Sequence, residues 1–342
     1  MGLKFKDIVI KKEISISELN GKVLAVDSLN MLYQFLTTIR APDGSALTDS
    51  KGRVTSHLIG LFSRVTSLME QGLKLVFVFD GKAPEIKQKT WEKRGEVKKE
   101  AALKLQEAIT DEEKRKFASR TAILTREMLD DAQKVITALG LPIVQAPSEG
   151  EAQTAYMVKN GTAFASISQD YDNLIFGCPR LIRNLSLEGK RKRAGKFAYE
   201  KIKPEMILLS EVLEHLQLDR EQLIVLALLV GTDYNPGGIH GIGPQKGLKL
   251  LKEFNHDFIG LFQKVEWEKH SPDVSWHKIF DTIKDIPVTD DYKLEWKQVQ
   301  GEELFALLVN EHNFSAERVQ SKIDILAKES KQQAQKGLRS YF

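Results

Sequence analysis

The chain has 342 residues, of which 42% are hydrophobic and 28% are charged, a composition that can bury a large core and is typical of a folded globular protein. The longest clean apolar run, Leu223 to Val230, is far too short to cross a bilayer, and the single cysteine, Cys178, excludes an intrachain disulfide and favours a reducing compartment. The net charge is only +3, but residues 82–126 and 189–196 are locally basic, which is consistent with a phosphate-rich partner.

Strands and helices alternate through the first part of the chain. Apolar strands are predicted at Val23 to Val26 and at Leu75 to Phe79, and each ends at an aspartate, Asp27 or Asp80. A shorter strand is predicted at Pro142 to Gln145. The predicted helices between the strands are Ser28 to Leu36 and His57 to Glu70. This alternation predicts an α/β fold with a mostly parallel twisted sheet and helices on both faces.

Residues 82–126 interrupt the alternation with charged, helix-favouring sequence that contains few apolar residues. We expect helices here that project from the sheet as an arch. Lys87 and Arg94 are seven residues apart and would therefore share one face of a helix. Composition alone favours a solvated charged helix for this segment.

The stretch from Ala146 to Gly177 carries four carboxylates beside elements that should be buried. Ser148 is predicted to cap a helix that runs from Glu149 to Lys159, which places Glu149 and Glu151 in its first turn. A purely structural interpretation is also open, because Ser148 and Glu151 match a capping box and Glu149 would favour the positive end of the helix dipole.

A second acidic pair follows a short apolar run, Ala163 to Ile167, that fits a buried strand. If the backbone stays extended, Asp170 and Asp172 project to the same side; the alternative is a solvated turn. Ligands of parallel sheets bind outside the carboxyl ends of the strands. Acids at the end of strand after strand therefore indicate a ligand-binding site at this rim, whereas any one of them alone could be a helix cap.

Downstream of this pair, Leu181 to Leu185 and Phe197 to Tyr199 could pair as a hairpin, with Gly189 to Arg193 at its tip in contact with either solvent or phosphate. Pro204 is expected to open a helical region. Leu223 to Val230 is predicted to be a buried helix that ends at Gly231 and is followed by a further aspartate, Asp233.

A glycine hairpin, Gly241-Ile242-Gly243, then leads through Pro244 into a helix predicted from Gln245 to Lys252. Glycines allow a phosphate to approach the backbone closely, and proline suits a first helical turn whose free amides face an anion. A helix, a Gly-Ile-Gly hairpin and a second helix form a known grip on the backbone of duplex DNA. Positive charge on Lys246 and Lys249 supports this interpretation.

The sequence of the C-terminal part, from residue 255 onward, gives the weakest signals for structure and function. Residues 255–327 are expected to be helical, with Trp267, Trp276 and Trp296 in the core, and the polar segment Lys328 to Gln335 is predicted to be disordered. The chain then ends with apolar and aromatic residues on a polar tail, a pattern typical of a peptide that docks in a pocket. These residues are Gln335, Leu338, Tyr341 and Phe342.

Taken together, the motifs resemble those of the flap endonucleases, structure-specific 5′ nucleases with a PIN-like fold. The matching segments are Ala25-Val26-Asp27, Val78-Phe79-Asp80-Gly81-Lys82, Ala146 to Ala152, Ser168-Gln169-Asp170-Tyr171-Asp172, Gly231-Thr232-Asp233-Tyr234 and the Gly241 hairpin. The resemblance covers nearly the whole chain and includes all seven family carboxylates: Asp27, Asp80, Glu149, Glu151, Asp170, Asp172 and Asp233.

The resemblance implies a metal-dependent endonuclease and 5′-3′ exonuclease. Seven acids at one rim repel one another unless cations neutralise them, and an all-oxygen ligand set selects Mg²⁺, for which Mn²⁺ can substitute. Two ions roughly 4 Å apart would activate a water and stabilise the leaving oxygen. The family also implies a K⁺ ion at the Gly241–Gly243 hairpin.

Further site residues are implied by the resemblance. Lys87 and Arg94 are the expected catalytic cations at the scissile phosphate. Tyr33 matches the aromatic on which a flipped nucleotide stacks, whereas its helical spacing alone favours core packing. Gly2 matches the processed N-terminus near the site. The full set of expected DNA contacts is Gly2, Tyr33, Lys87, Arg94, Glu149, Gly231, Asp233, Gly241, Ile242, Gly243 and Lys246.

The expected partners are branched DNA with a 5′ flap and the replication sliding clamp (PCNA), the latter through Gln335, Leu338, Tyr341 and Phe342. We expect a monomer without membrane contact that acts in replication and base excision repair in an archaeal cytoplasm. The implied division is a nuclease region (1–98), an arch (99–125), a second nuclease region with the helix-hairpin-helix motif (126–255), a C-terminal helical part (256–330) and a flexible tail (331–342).

Two other interpretations compete. The first is a noncatalytic DNA-binding accessory of the sliding clamp, against which the intact acid set argues. The second is a phosphatase of the haloacid dehalogenase type, suggested by an apolar strand that ends in aspartate. That family requires Asp-x-Asp after its first strand, whereas this chain has Asp27-Ser28-Leu29.

Overall fold

The computed structural model describes residues 3–41, 43–107, 110, 113, 117, 121–187, 189–192 and 199–339. For residues 88–94, 105–107, 187, 189–192, 199–201 and 330–339 it describes the backbone alone.

A seven-stranded sheet organises the described residues, in the order β1-β9-β6-β5-β2-β3-β4. Strands β2 to β6 run parallel, whereas β9 and β1 form an antiparallel edge. The strands are β1 Lys12–Glu13, β2 Val23–Asp27, β3 Lys74–Phe79, β4 Ile143–Gln145, β5 Ala165–Ile167, β6 Arg180–Arg183, β7 Gly189–Lys192, β8 Tyr199–Ile202 and β9 Glu205–Leu208. The expected α/β fold with a mostly parallel sheet is confirmed.

Helices connect the strands and form the C-terminal part. They are α1 Ser28–Thr38, α2 Ser56–Glu70, α3 Gln88–Glu107, α4 Arg126–Ala138, α5 Gly150–Lys159, α6 Asp172–Ile175, α7 Leu209–Leu216, α8 Arg220–Val230, α9 Pro244–Phe254, α10 Phe258–Lys264, α11 Trp267–His270, α12 Trp276–Lys284, α13 Gly301–Phe305 and α14 Ala316–Arg339. Among the described residues, no helix combines the length and apolarity needed to span a membrane.

Side chains of alternating strand residues pack into two hydrophobic cores, one on each face of the sheet. In β2, Leu24 and Val26 face the core that contains α1 and α2, whereas Ala25 faces the core that contains α5 and α8. Both sets are fully buried. Apolar residues on both sides of each central strand explain its continuous hydrophobic sequence and fix its carboxyl end at one rim.

Some local predictions were wrong. Tyr199, the described residue of the expected second strand Phe197 to Tyr199, does not pair with Leu181 to Leu185; instead β6 joins the main sheet, and β7 pairs with β8 in a separate ribbon that includes most of the expected tip. Pro204 precedes strand β9, not a helix. Both errors have one cause: long-range pairing of β9 with β6 and β1 overrides local propensity.

The C-terminal half also departs from expectation in places. Helix α14 includes Lys328 to Gln335, which we expected to be disordered. Trp267 is buried and Trp276 is partly buried against the core, as expected, but Trp296 is 36% exposed. The indole N–H of Trp296 donates to the carbonyl of Leu75 in β3 at 3.1 Å.

Candidate active site

The seven carboxylates follow the ends of buried elements at one rim of the sheet. Six lie after the parallel strands, at or just beyond the carboxyl ends of β2, β3, β4 and β5, and the seventh follows α8. In chain order they are Asp27, Asp80, Glu149, Glu151, Asp170, Asp172 and Asp233. Most are buried or partly buried, whereas Asp80 is exposed.

The two close pairs have a geometry that differs from the predicted one. Ser148 does not cap α5: the N-cap is Glu149, and no side chain makes a capping hydrogen bond there. The capping-box interpretation of Ser148 and Glu151 is therefore wrong. The backbone also does not stay extended after β5, because it bends and Asp172 opens the short helix α6. Both pairs still lie at the rim.

Neutral hydrogen-bond donors hold several of these carboxylates. Asp27, the N-cap of α1, accepts from the backbone N–H of Asn30 at 3.1 Å and from the Ser168 hydroxyl at 3.0 Å. The N–H of Leu3 donates to Asp172 at 3.0 Å, which joins the N-terminal segment to the site. Such donors orient carboxylates without adding charge.

The loops after β3 and β4 are in direct contact and bring Asp80 to α5. The N–H of Gly81 donates to the Ser148 carbonyl at 2.6 Å, and the N–H of Gly150 donates to Asp80 Oδ1 at 2.8 Å. A Cβ at Gly81 would lie 2.1 Å from the carbonyl oxygen of Ala146, and one at Gly150 would lie 2.6 Å from Asp80 Oδ1. Glycine is required at position 81, where the neighbour is backbone, whereas a larger residue at position 150 would displace the Asp80 carboxylate.

Burial and mutual repulsion raise the pKa values of these acids. Burial, together with the charges of Asp80 and Asp170, raises the pKa of Asp27 to about 7. Burial, together with Asp170 and Asp233, raises the pKa of Asp172 to about 8. The pKa of Glu151 is raised well above its ordinary value by desolvation and by Asp172 and Asp27. The carboxylates affect one another in this way because they lie close together at the rim.

Lys87 supplies positive charge inside this cluster. Its ammonium lies 2.7 Å from Glu149 Oε1 and 3.6 Å from Asp233 Oδ2, and 5.3 Å from the centre of the buried Tyr234 ring. Burial lowers the pKa of Lys87, but Glu149 and Asp233 outweigh that effect and raise it above its ordinary value. Lys87 is therefore a permanent cation among the acids.

The donor set suits hard divalent cations. Oxygen is the only donor atom among the seven acids, and three of them, Asp27, Glu149 and Asp172, are buried carboxylates whose repulsion a cation would relieve. As the side chains stand, no group of three or more acidic, imidazole or thiol side chains among the described residues is arranged to hold a metal ion. The chemistry of the donors nevertheless fits a divalent metal.

The glycine hairpin joins α8 to α9 as the sequence predicts. Gly231 ends α8 with a φ of 109°, Gly243 caps α9, and Pro244 opens its first turn. The side chain of Ile242, the middle residue of the hairpin, is buried, whereas a Cβ added at Gly241 or Gly243 would meet open space. The hairpin backbone is therefore accessible to a partner. Lys246 lies beside it, with its ammonium 3.5 Å from the Gly241 carbonyl oxygen.

The other expected site residues have different outcomes. Tyr33 is 39% exposed, so its core interpretation was wrong, and the ammonium of Lys98 lies 5.9 Å from its ring centre. Gly2, Tyr341 and Phe342 lie outside the described residues. The side chains of Arg94, Gln335 and Leu338 also lie outside the described part, although their backbones belong to α3 and α14.

Sequence reasoning missed the residues that support the acids. Asn30, Ser168 and Tyr234 lie within or next to the acidic motifs but were assigned no role. A signal was present for Tyr234, which directly follows Asp233, and for Ser168, which lies two residues before Asp170. Asn30 gave none, because an asparagine in a first helical turn is ordinary.

Comparisons with known proteins identify a family for this chain. The XPG N-terminal domain model matches residues 3–101 and the XPG I-region model matches residues 140–233. A Pyrococcus horikoshii protein called flap endonuclease 1 is 50% identical, with coverage of 100% of this chain and 98% of that protein. A Hyperthermus butylicus protein of the same name is 47% identical, with coverage of 96% and 95%.

Solved structures give the same result. The flap endonuclease-1 structure from Methanococcus jannaschii matches with a TM-score of 0.75 and 39% identity, over 96% of this chain and 98% of that one. The catalytic core of Rad2 in complex with DNA substrate matches with a TM-score of 0.69 over 95% of this chain and 100% of that one, but at 23% identity this likeness concerns the fold alone.

Proposed function

The chain belongs to the flap endonuclease family of DNA nucleases, and from that premise we propose that it cuts 5′ flaps near the junction of single-stranded and double-stranded DNA. A 5′-3′ exonuclease activity would use the same site. The proposed roles are the processing of Okazaki fragments in replication and base excision repair.

The observation that carries the proposal is the convergence of acids at one rim of the sheet. Burial and the charges of neighbouring carboxylates raise the pKa values of Asp27, Glu151 and Asp172. A folded protein tolerates such repulsion at the cost of stability, which is typical of sites that bind cations and substrate. Lys87 offsets only part of this charge.

Divalent cations fit this donor set, and we propose Mg²⁺, with Mn²⁺ as a substitute. The ligands would be drawn from Asp27, Asp80, Glu149, Glu151, Asp170, Asp172 and Asp233. Two such ions, when bound, supply Lewis-acid activation of water and stabilisation of the leaving oxygen in phosphodiester hydrolysis. The protein's own part is to hold the carboxylates, exclude bulk water and provide a fixed cation at Lys87.

Lys87 and Arg94 would act on the scissile phosphate. In the DNA-free protein the Lys87 ammonium is 2.7 Å from Glu149, so a phosphate that enters the site would compete with this carboxylate for it. Arg94 lies on α3, which begins at Gln88, whereas Lys87 ends the short 3-10 helix Glu85–Lys87, so the expectation that both residues share one helix was wrong. Both residues precede the proposed arch (99–125), beneath which the single-stranded flap would pass.

The remaining contacts would hold duplex and flap on either side of the acids. We propose that the exposed ring of Tyr33 stacks on the flipped nucleotide. The backbone of the Gly241–Gly243 hairpin would bind the phosphates of the duplex together with K⁺, assisted by Lys246. Gly2, Gly231, Glu149 and Asp233 complete the proposed DNA contacts.

A substrate panel tests the function. Wild-type protein in Mg²⁺ is given a 5′-flap duplex, a 3′-flap duplex, an unbranched duplex and a single strand of matched sequence. We expect the 5′-flap duplex to be cut fastest, at a position near the junction. Equal cutting of every substrate would indicate a nonspecific nuclease, and binding of the flap duplex without cutting in Mg²⁺ or Mn²⁺ would favour the clamp-accessory alternative.

We also propose that the C-terminal peptide with Gln335, Leu338, Tyr341 and Phe342 binds a sliding clamp. The support is the sequence pattern of a glutamine, one apolar residue and two aromatics on a polar tail. Deletion of Gln335 to Phe342 should leave basal cleavage intact and remove stimulation by the clamp. Unchanged stimulation would show that the contact lies elsewhere.

A further inference from the structure

Asn30 lies between two carboxylates that come from different strands. It is in the first turn of α1, where its backbone N–H donates to Asp27 Oδ1 at 3.1 Å. Its side-chain Nδ2 donates to Asp170 Oδ2 at 2.8 Å. One residue therefore makes a hydrogen bond to the acid that ends β2 and to the acid that follows β5.

The third hydrogen bond of Asn30 fixes the orientation of its amide. The side-chain oxygen accepts from the backbone N–H of Gln169 at 3.0 Å. With the oxygen directed at an N–H group, the nitrogen must face the carboxylate of Asp170. A short side chain with a donor at one end and an acceptor at the other is required here, and Asn is the residue that supplies both without charge.

Ser168 completes a closed network with Asn30. Its hydroxyl donates to Asp27 Oδ2 at 3.0 Å and accepts from the N–H of Asp170 at 3.3 Å. Asp27 and Asp170 repel each other, and the charge of Asp170 contributes to the raised pKa of Asp27. The network therefore holds in one arrangement two groups that would otherwise move apart.

We propose that Asn30 is a positioning residue that sets the relative orientation of Asp27 and Asp170 for a divalent cation. The proposal rests on the nuclease function and metal site proposed above. Neutral hydrogen-bond donors that orient carboxylate ligands are worth about 10- to 100-fold in metal affinity or activity. A simple loop staple would use the Gln169 contact alone and would not require a donor directed at Asp170.

The test is Mn²⁺ binding to the DNA-free protein by titration calorimetry, with the variant Asn30→Leu. Leucine has a similar size but neither donates nor accepts. Thr38→Ala, at the other end of α1, is the matched control, because Thr38 is exposed and bonds only within its own helix at 2.7 Å. We expect Mn²⁺ affinity to fall about 10-fold or more in Asn30→Leu and to stay at the wild-type value in the control.

Two further measurements separate positioning from structural damage. The Mg²⁺ concentration for half-maximal single-turnover cleavage should rise in Asn30→Leu, while flap-DNA affinity in Ca²⁺ stays near wild type. A loss of stability or rate with unchanged Mn²⁺ affinity would overturn the proposal. If Asn30→Leu does not fold, Asn30→Ser is used for the same titration. If wild-type protein binds Mn²⁺ but cuts no DNA, the nuclease function fails while the titration still decides the role of Asn30.

Discussion

Replacement of Asp172 by asparagine should stabilise the metal-free protein at neutral pH while it abolishes cleavage. In the folded state, burial and the charges of Asp170 and Asp233 raise the pKa of Asp172 from 3.8 to about 8. Asparagine resembles the protonated aspartic acid in shape. It can still accept the 3.0 Å hydrogen bond from the N–H of Leu3, and it places no charge beside Asp170.

The sign of the pH dependence follows from proton binding. Between pH 4 and pH 8 the folded protein retains a proton on Asp172 that the unfolded chain releases, so stability falls as the pH rises through this range. Each pH unit above the unfolded pKa of 3.8 costs about 1.4 kcal/mol, which gives an upper limit of about 4 kcal/mol at pH 7. The neighbouring acids share protons, which makes the measured value smaller than this limit.

Urea denaturation in EDTA at pH 4, 5, 6 and 7 measures the effect. We expect wild type and Asp172→Asn to be nearly equal in stability at pH 4, and the variant to be more stable by about 1 to 4 kcal/mol at pH 7. Asp7→Asn, which removes an exposed acid, is the matched control and should show no such divergence. A difference that does not change with pH, or a variant less stable than wild type at pH 7, would refute the reasoning.

Three other predictions concern Lys87, Arg94 and Gly81. Tyr234→Leu should slow single-turnover cleavage about 5-fold, the equivalent of about 1 kcal/mol, because it removes the cation–π attraction between the ring and Lys87. Tyr234→Phe keeps the ring and should keep the wild-type rate. In a Lys87→Met background Tyr234→Leu should have no further effect, and additive losses would show that the two residues are not coupled. Arg94→Ala should slow cleavage about 100-fold with a much smaller loss of DNA affinity, and equal losses would make it a binding residue only. Gly81→Ala should destabilise the protein by about 1 to 3 kcal/mol in urea, whereas Gly95→Ala, whose Cβ meets nothing within 4 Å, should not.

The sequence predicts the sheet and the rim because both depend on strong local patterns. The apolar runs before Asp27 and Asp80 are buried on both faces, and such runs form central parallel strands whose ends lie together. The acids therefore meet at one edge even where their local geometry was mispredicted. Glycine and proline at Gly231, Gly243 and Pro244 likewise give local signals for a turn and a helix start.

Long-range contacts account for what the sequence did not predict. The start of α5 depends on the bond from Gly150 to Asp80 at 2.8 Å, between residues 70 positions apart, and no local signal identifies it. The Nδ2 group of Asn30 reaches an acid 140 positions away at 2.8 Å. Lys87 was expected at the scissile phosphate, but its contact with Glu149 in the DNA-free protein depends on the loop after β4. Hydrogen-bond partners of this kind follow from the fold and not from sequence spacing.

The central claim is that the acids at the rim of the sheet form a metal-dependent nuclease site specific for 5′ flaps. The most direct measurement is single-turnover cleavage of an end-labelled double-flap duplex in Mg²⁺ by wild type and Asp170→Asn, with the cut position mapped. We expect a cut next to the flap junction in wild type and none in the variant. Equal cutting by both proteins, or no cut by wild type in either Mg²⁺ or Mn²⁺, would contradict it.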